Sequence, residues 1–223
     1  MEKGLLREAL VKYLSGVILL GALLFLPAGT FAWKNAWLMM ILLFVPMLIA
    51  GLVMYLKAPA LLKSRLDAKE SRGGQKAVIL MSGLMFLAAF ILAGLNFRFR
   101  WITMPGWTVA AGAVVFVLSY AMFGEVLREN AYLSRTIGVR EGQKVVDTGL
   151  YGVVRHPMYS ATVLLFLSMP VILGSPISFA VTLAYIPIIV RRILDEEEVL
   201  KQELEGYESY MEKVRYRLIP HLW

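Results

Sequence analysis

Four long apolar runs, separated by short polar breaks, frame the first part of the chain. Residues 14 to 33 are long enough to cross a bilayer core, with Pro27 and Gly29 interrupting the run near its far end. Asn35 to Leu56 makes a second run and Ala77 to Phe97 a third. The fourth extends from about Trp107 to Leu127 and carries Ala110, Ala111, Gly112 and Ala113, small residues that let helices approach closely. Two shorter runs follow, Pro157 to Leu173 and Ile177 to Val190, joined by Gly174-Ser175-Pro176. At 1.5 Å per residue they reach about 25 Å and about 21 Å against a core of roughly 30 Å, which predicts a tight helical hairpin.

From Arg191 the pattern changes to a charged amphipathic helix that continues out of the last run. Ile193, Leu200, Leu204, Tyr207, Met211 and Val214 fall on one line in alternating steps of four and three, and Glu197 fills the one vacancy. If that line packs inward, Glu197 is buried and needs a partner or a raised pKa. Arg155, Arg191, Arg192 and a bound ligand are the candidates. Asp195 and Glu198 belong to the solvated face.

These elements predict an all-α integral membrane protein of about four spans plus a short transmembrane hairpin and a cytoplasmic amphipathic C-terminal helix. Composition agrees, with 59% hydrophobic and 17% charged residues. Thr30-Phe31-Ala32 resembles a small-x-small cleavage site, so a leader peptide has to be weighed, but Glu2 and Glu8 dilute the basic n-region and another span follows at once. The absence of cysteine removes thiol nucleophiles and thiolate metal sites, and His156 and His221 stand in no ligand spacing, so no metal site is expected.

A net charge of +7 invites a nucleic-acid reading, but in so apolar a chain the cations are better explained by orientation. The N-terminus, the 57–76 connection, the 128–155 segment and the tail together hold 20 of the Lys and Arg residues, against 3 in the alternate loops. Both termini and the polar C-terminal segments are thereby expected on the cytoplasmic side, with membrane lipids rather than nucleic acid as the surroundings.

The densest chemistry lies in Gly149 to Ala161, where Arg155 and His156 precede Pro157 at the start of an apolar run. Proline suits the first helical position, and a helix start beside a cation is a ready anion site; the plainer reading makes Arg155 and His156 interfacial anchors.

Taken in order, Gly149-x-Tyr-x-x-x-Arg-His-Pro-x-Tyr159, a short hairpin, Arg192-Ile-x-x-Glu-Glu-x-x-Leu200, Tyr207-x-x-Tyr210 and Arg217-Leu-Ile-Pro220 resemble the isoprenylcysteine carboxyl methyltransferase family, and more loosely the phospholipid N-methyltransferases. The resemblance covers about residues 128 to 223. It implies a membrane methyltransferase that takes S-adenosylmethionine at the cytoplasmic face and a lipidic or prenylated acceptor from the bilayer, most simply at a carboxyl oxygen. Residues 1–127 are then N-terminal transmembrane helices and 128–223 the cofactor-binding region. Tyr151, Arg155, His156, Pro157, Tyr159, Glu196 and Glu197 match cofactor-binding positions. Tyr207, Tyr210 and Arg217 match positions near the reacting methyl and the acceptor, with Arg215 competing for the role of Arg217. Ala161 departs from the family's usual glycine.

The residues suit that chemistry. Arginine, histidine and a helix start favour the cofactor carboxylate, a glutamate its ammonium or ribose diol, and tyrosine faces its sulfonium. Methyl transfer is an in-line displacement from an activated leaving group, so positioning and exclusion of water are the main tasks. A carboxylate acceptor needs no base; an amine or hydroxyl brings in Glu197 or His156. Two other readings compete. Membrane NADPH-dependent sterol reductases carry a similar His-Pro-Asn-Tyr-x-x-Glu element, but here Met158 replaces the asparagine and Thr162 the glutamate. A non-enzymatic membrane scaffold or transporter would use the tail helix for a partner, although charge within the spans is scarce.

Overall fold

A computed structural model of the protein describes residues 3–66, 73–130, 132, 138–139 and 141–223. Glu2, Lys69, Arg72, Arg135 and Arg140, which enter the leader and charge-orientation readings, lie outside the described residues. Helices are the regular elements among the described residues. The four long apolar runs become α1 (Lys3–Ala28), α2 (Lys34–Lys57), α4 (Gly73–Phe99) and α5 (Gly106–Glu129), each long and apolar enough to cross a membrane. The polar connection after α2 holds a short helix not expected from the sequence, α3 (Pro59–Leu66).

Close backbone approach explains several small residues in the spans. A Cβ on Gly94 in α4 would sit 2.7 Å from the Leu24 carbonyl oxygen of α1 and 3.1 Å from the Ala28 nitrogen. On α5, a Cβ at Gly112 would sit 3.2 Å from the Ile172 nitrogen, so glycine lets the fourth span lie against the hairpin. Leu24, Met39, Ala93, Phe116 and Ile172 fill the core where these helices meet. Outward residues such as Ile18, Leu26 and Trp107 are exposed apolar side chains, the surface expected of a bundle whose solvent is lipid. Polar side chains in this region satisfy backbone groups: Tyr120 donates to the Leu43 carbonyl at 3.1 Å and Ser178 to the Ala89 carbonyl at 2.8 Å.

The hairpin forms as α6 (Pro157–Ile172), a turn through Gly174 at φ +71°, and a second arm. That arm is divided into α7 (Pro176–Thr182), capped by Ser175 accepting from the Ser178 N–H, and α8 (Tyr185–Glu203). The apolar part of α8 ends at Val190; from Arg191 to Glu203 its run of charged residues carries the helix out of the hydrocarbon. The single tail helix expected from the spacing is interrupted. Leu204 ends α8, Gly206 takes a left-handed conformation at φ +82°, and α9 (Tyr207–Lys213) begins on a new axis. A side chain resists that conformation and glycine does not, so Gly206 sets the bend. As a result Tyr210, rather than Met211, joins Leu204, Tyr207 and Val214 in the buried cluster of the tail.

Candidate active site

The site begins at the end of α5. There the Glu129 carboxylate accepts from the Leu150 N–H at 3.0 Å and fastens a 3-10 turn, Gly149–Gly152, that buries Tyr151. Gly149 has φ +50°, and a Cβ there would lie 1.5 Å from Glu129 Oε1, so this turn tolerates only glycine as built. Asn130 Nδ2 donates to the Tyr151 hydroxyl at 3.0 Å, and the Tyr210 hydroxyl of α9 donates to the Tyr151 carbonyl at 2.7 Å.

Pro157 opens α6 as expected, but the N–H groups around this start are engaged. Arg155 N donates to the Tyr216 carbonyl at 2.8 Å and His156 N to the Arg217 carbonyl at 2.9 Å, while Tyr159 N and Ser160 N return to the His156 carbonyl. A strip of tail, 214–217, thus takes the backbone donors just ahead of the helix start. The same strip draws in side chains. Arg155 Nη1 donates to the Val214 and Arg215 carbonyls at 2.8 and 2.9 Å, and Ser160 Oγ to the Leu218 carbonyl at 2.7 Å.

Glu197 lies at the middle of this junction, 2% exposed. Its Oε1 accepts from Arg155 Nε at 2.7 Å and faces His156 Nε2 at 3.2 Å, and its Oε2 accepts from Arg217 Nε at 2.8 Å. Burial by itself would push the carboxyl up; the hydrogen bonds from His156, Arg155 and Arg217 outweigh it and hold the pKa down at about 2. Arg217 also lies over the Trp223 ring, 5.1 Å from its centroid. Arg215 contributes its carbonyl while its side chain is exposed.

One turn before and on the adjoining face, Arg192 and Glu196 look elsewhere. The Tyr159 hydroxyl donates to Glu196 Oε2 and accepts from Arg192 Nε at 2.9 Å. These three, with Tyr151, Arg155, His156, Tyr207 and Tyr210, wall a cavity of about 90 Å³ that Asn130, Tyr132, Gln143 and Val145 also line. Within it the Tyr207 hydroxyl is buried with no hydrogen-bond partner among the described residues. Burial raises the pKa of Tyr151 to about 12 against the opposing hydrogen bond from Asn130. Burial and the charges of Glu197 and Glu196 raise Tyr207 further, and burial and Tyr151 raise Tyr210. All three hydroxyls keep their protons at neutral pH.

Residues 107–205 match the family model described as phospholipid methyltransferase. The fold is that of a solved structure of the eukaryotic intramembrane Ras methyltransferase ICMT (isoprenylcysteine carboxyl methyltransferase), with TM-score 0.59 and 19% identity over 92% of this chain and 74% of that one. A shorter likeness, 29% identity over 91 residues, joins the chain to the Delta(14)-sterol reductase of Mus musculus, covering 40% of this chain. The chain spans about 22% of the length of that relative.

The residues singled out from the sequence come together, but they divide. Tyr151, Arg155, His156, Tyr159, Glu196, Tyr207 and Tyr210 line the cavity. Pro157 is buried at the helix start, and Glu197 and Arg217 form the ion cluster behind the wall. Asn130, Tyr132 and Met158 also line the cavity and were missed, as does Arg192, which the sequence offered only as a partner for Glu197 and which donates instead to the Tyr159 hydroxyl. For Arg192 a signal was available: it precedes Glu196 by four residues, one turn of the same helix face. For Asn130 and Tyr132, in irregular chain after α5, none was.

Proposed function

We propose that the protein is an S-adenosylmethionine-dependent carboxyl O-methyltransferase acting on a lipidic acceptor. The observation that carries this reading is a cavity at the membrane boundary rich in tyrosine and charge but poor in available base. Glu197 is tied to three donors, the tyrosine hydroxyls hold their protons, His156 directs Nε2 at Glu197, and Glu196 accepts from Tyr159. A carboxylate acceptor needs no proton removed, so it suits such a site; an amine or hydroxyl does not.

The donor set fits the cofactor. The unsatisfied Tyr207 hydroxyl is a buried polar atom in want of a partner, and the tyrosine rings suit a sulfonium. Arg192 suits a carboxylate, and Glu196 an ammonium or ribose diol. A volume of about 90 Å³ takes on the order of three water-sized groups, so a nucleoside reaches beyond it, past the lining residues Tyr132, Gln143 and Val145. Bound there, S-adenosylmethionine supplies an activated methyl group. Arg155, His156 and Pro157 fix the wall, Tyr151, Tyr159 and Glu196 hold the ligand, and Tyr207 and Tyr210 exclude water from the methyl. Glu197 and Arg217 act as positioning residues that lock Arg155, His156 and the tail. The cavity opens on the cytoplasmic face if charge orients the spans as expected.

Isothermal titration in detergent with S-adenosylhomocysteine, with NADPH as parallel titrant, tests the reading. Saturable binding of the former, weakened at least about ten-fold in Glu196→Gln, is expected from loss of a charge-assisted bond. The sequence likeness to a sterol reductase supports a second reading, a membrane reductase, and binding of NADPH alone would put it first.

A further inference from the structure

A cavity of about 650 Å³ lies at the end of the bundle remote from the candidate active site. α5 starts in its wall at Gly106 and ends beside Asn130 in the wall of the other cavity, so at about 1.5 Å per residue its 24 residues set the two roughly 35 Å apart. Three connections meet here: Ala32 to Asn35 after α1, the turn between α4 and α5, and Leu173-Gly174 of the hairpin. Trp101 and Trp107, each next in sequence to a lining residue, are exposed, as tryptophans at headgroup depth are.

Two cations line the cavity, Lys34 at the start of α2 and Arg100 directly after α4. Neither side chain has a hydrogen bond or ion pair among the described residues. Nor can the chain supply an anion: no Asp or Glu occurs in residues 9–66, 71–124 or 148–194, which include every segment at this end. Arg100 is held in an unfavourable conformation as well. Its backbone is left-handed at φ +52°, which at a helix end favours glycine or asparagine, and buried Asn96 fixes the turn by donating to the Ile102 carbonyl at 2.9 Å and accepting from its N–H at 3.1 Å. The starts of α2 and α5 at the rim have no side-chain cap, which adds positive potential to the same space.

We propose that this cavity holds the head of an anionic phospholipid, its phosphate between Lys34 and Arg100, as a resident of the fold and not as a substrate. At roughly 30 Å³ per water-sized group there is room for about twenty, which admits a glycerophosphate head and the first carbons of its chains. A lipid fits better than a free anion because Trp33, Phe97, Met104 and Val109 share the walls with the cations and the rim opens among apolar side chains that face the bilayer. A zwitterionic head brings its own cation toward the same two charges and is disfavoured. Held this way, one lipid ties the start of α2 to the end of α4 and bears on the hairpin turn, so it stabilises the bundle whichever reaction the other end performs.

Phosphatidylglycerol and phosphatidylcholine with the same chains are titrated onto the protein in non-ionic detergent, with bound lipid counted by native mass spectrometry and thermal unfolding followed in parallel. Wild type is expected to bind one phosphatidylglycerol with about ten-fold preference over phosphatidylcholine, and to melt higher with it. Lys34→Gln and Arg100→Gly should each weaken phosphatidylglycerol about ten-fold, the scale of one charge-assisted hydrogen bond. Glycine suits φ +52°, so Arg100→Gly should melt no lower than wild type without lipid, which separates lost binding from lost folding. Lys57→Gln removes an exposed cation at the other end of α2, outside the cavity, and should leave lipid binding unchanged. Arg100→Gly that binds phosphatidylglycerol as wild type does, or an equal loss in Lys57→Gln, overturns the proposal and leaves only general attraction of lipid to a basic surface. Stabilisation by inorganic phosphate equal to that by phosphatidylglycerol overturns it too, in favour of a soluble anion.

Discussion

Removing the charge of Glu197 isolates the contribution of the ion cluster that joins the tail to the start of α6. The substitution Glu197→Gln keeps shape and volume but removes the anion that faces Arg155, His156 and Arg217. The carboxyl falls from an ordinary 4.5 to about 2 in the folded protein, which at about 1.4 kcal/mol per pH unit is about 3 kcal/mol of preference for the ionised form. The side chains of Glu197 and Arg155 are 3% and 4% exposed, so screening removes little of this; Arg217, at 27%, contributes the smaller share. Because the folded pKa is depressed, the stabilisation is fully present above pH 4.5 and lost as pH falls from there through about 2. Thermal unfolding in detergent, followed at pH 7 and at steps down to pH 3, reads both parts. Glu197→Gln should melt about 6–12 °C lower at pH 7, using about 2–4 °C per kcal/mol for a chain of this size. Its acid sensitivity should be shallower than that of wild type, since the group that titrates is gone. A variant that melts with wild type at pH 7, or keeps the full acid slope, refutes the clamp.

Three further outcomes follow from other parts of the molecule. Tyr207→Phe deletes a buried hydroxyl that has no partner among the described residues, so the ligand-free protein should gain about 1 kcal/mol while S-adenosylhomocysteine titration shows weaker binding; parallel losses in both would mean that the hydroxyl is satisfied in solution. Gly149→Ala drives a Cβ into Glu129 and fixes a side chain at φ +50°, and should lower stability by about 2 kcal/mol in denaturant titration. Gly94→Ala meets backbone at 2.7 Å between α1 and α4, where neither side has a flexible group to yield, and should lower the melting temperature by several degrees; an unchanged value would show looser packing of the two spans.

The parts of the fold that were legible in the sequence are those set by burial against lipid. Apolar length located α1, α2, α4 and α5, and the two short runs located the hairpin, because a membrane interior leaves the backbone little choice but helix. The vacancy at Glu197 was legible for a related reason: a charge on a buried line has to be answered by other charges, and Arg155 was among the candidates named for it. What escaped was geometry beyond one turn. The spacing of Leu204, Tyr207 and Val214 fits a straight helix and also the bent one that Gly206 makes, so periodicity could not choose between them. Glu129 could not be paired with Gly149 across twenty residues of polar chain, since nothing in either neighbourhood declares the turn they share.

The division of the acidic pair follows from helix geometry and bears on the reaction. Neighbouring residues on α8 point about 100° apart, so of two adjacent glutamates only one can face the cavity when the other faces the tail. Glu197 takes the dry side, where ion pairs deprive it of basicity, and Glu196 takes the cavity, where Tyr159 and Arg192 fix its direction. Had the order of the two faces been reversed, the cavity would hold the stronger cation cluster and no exposed carboxylate, a poor match for an ammonium or a ribose diol. As arranged, the cavity keeps an anion for binding without gaining a strong base, the combination on which the proposed carboxyl methylation rests.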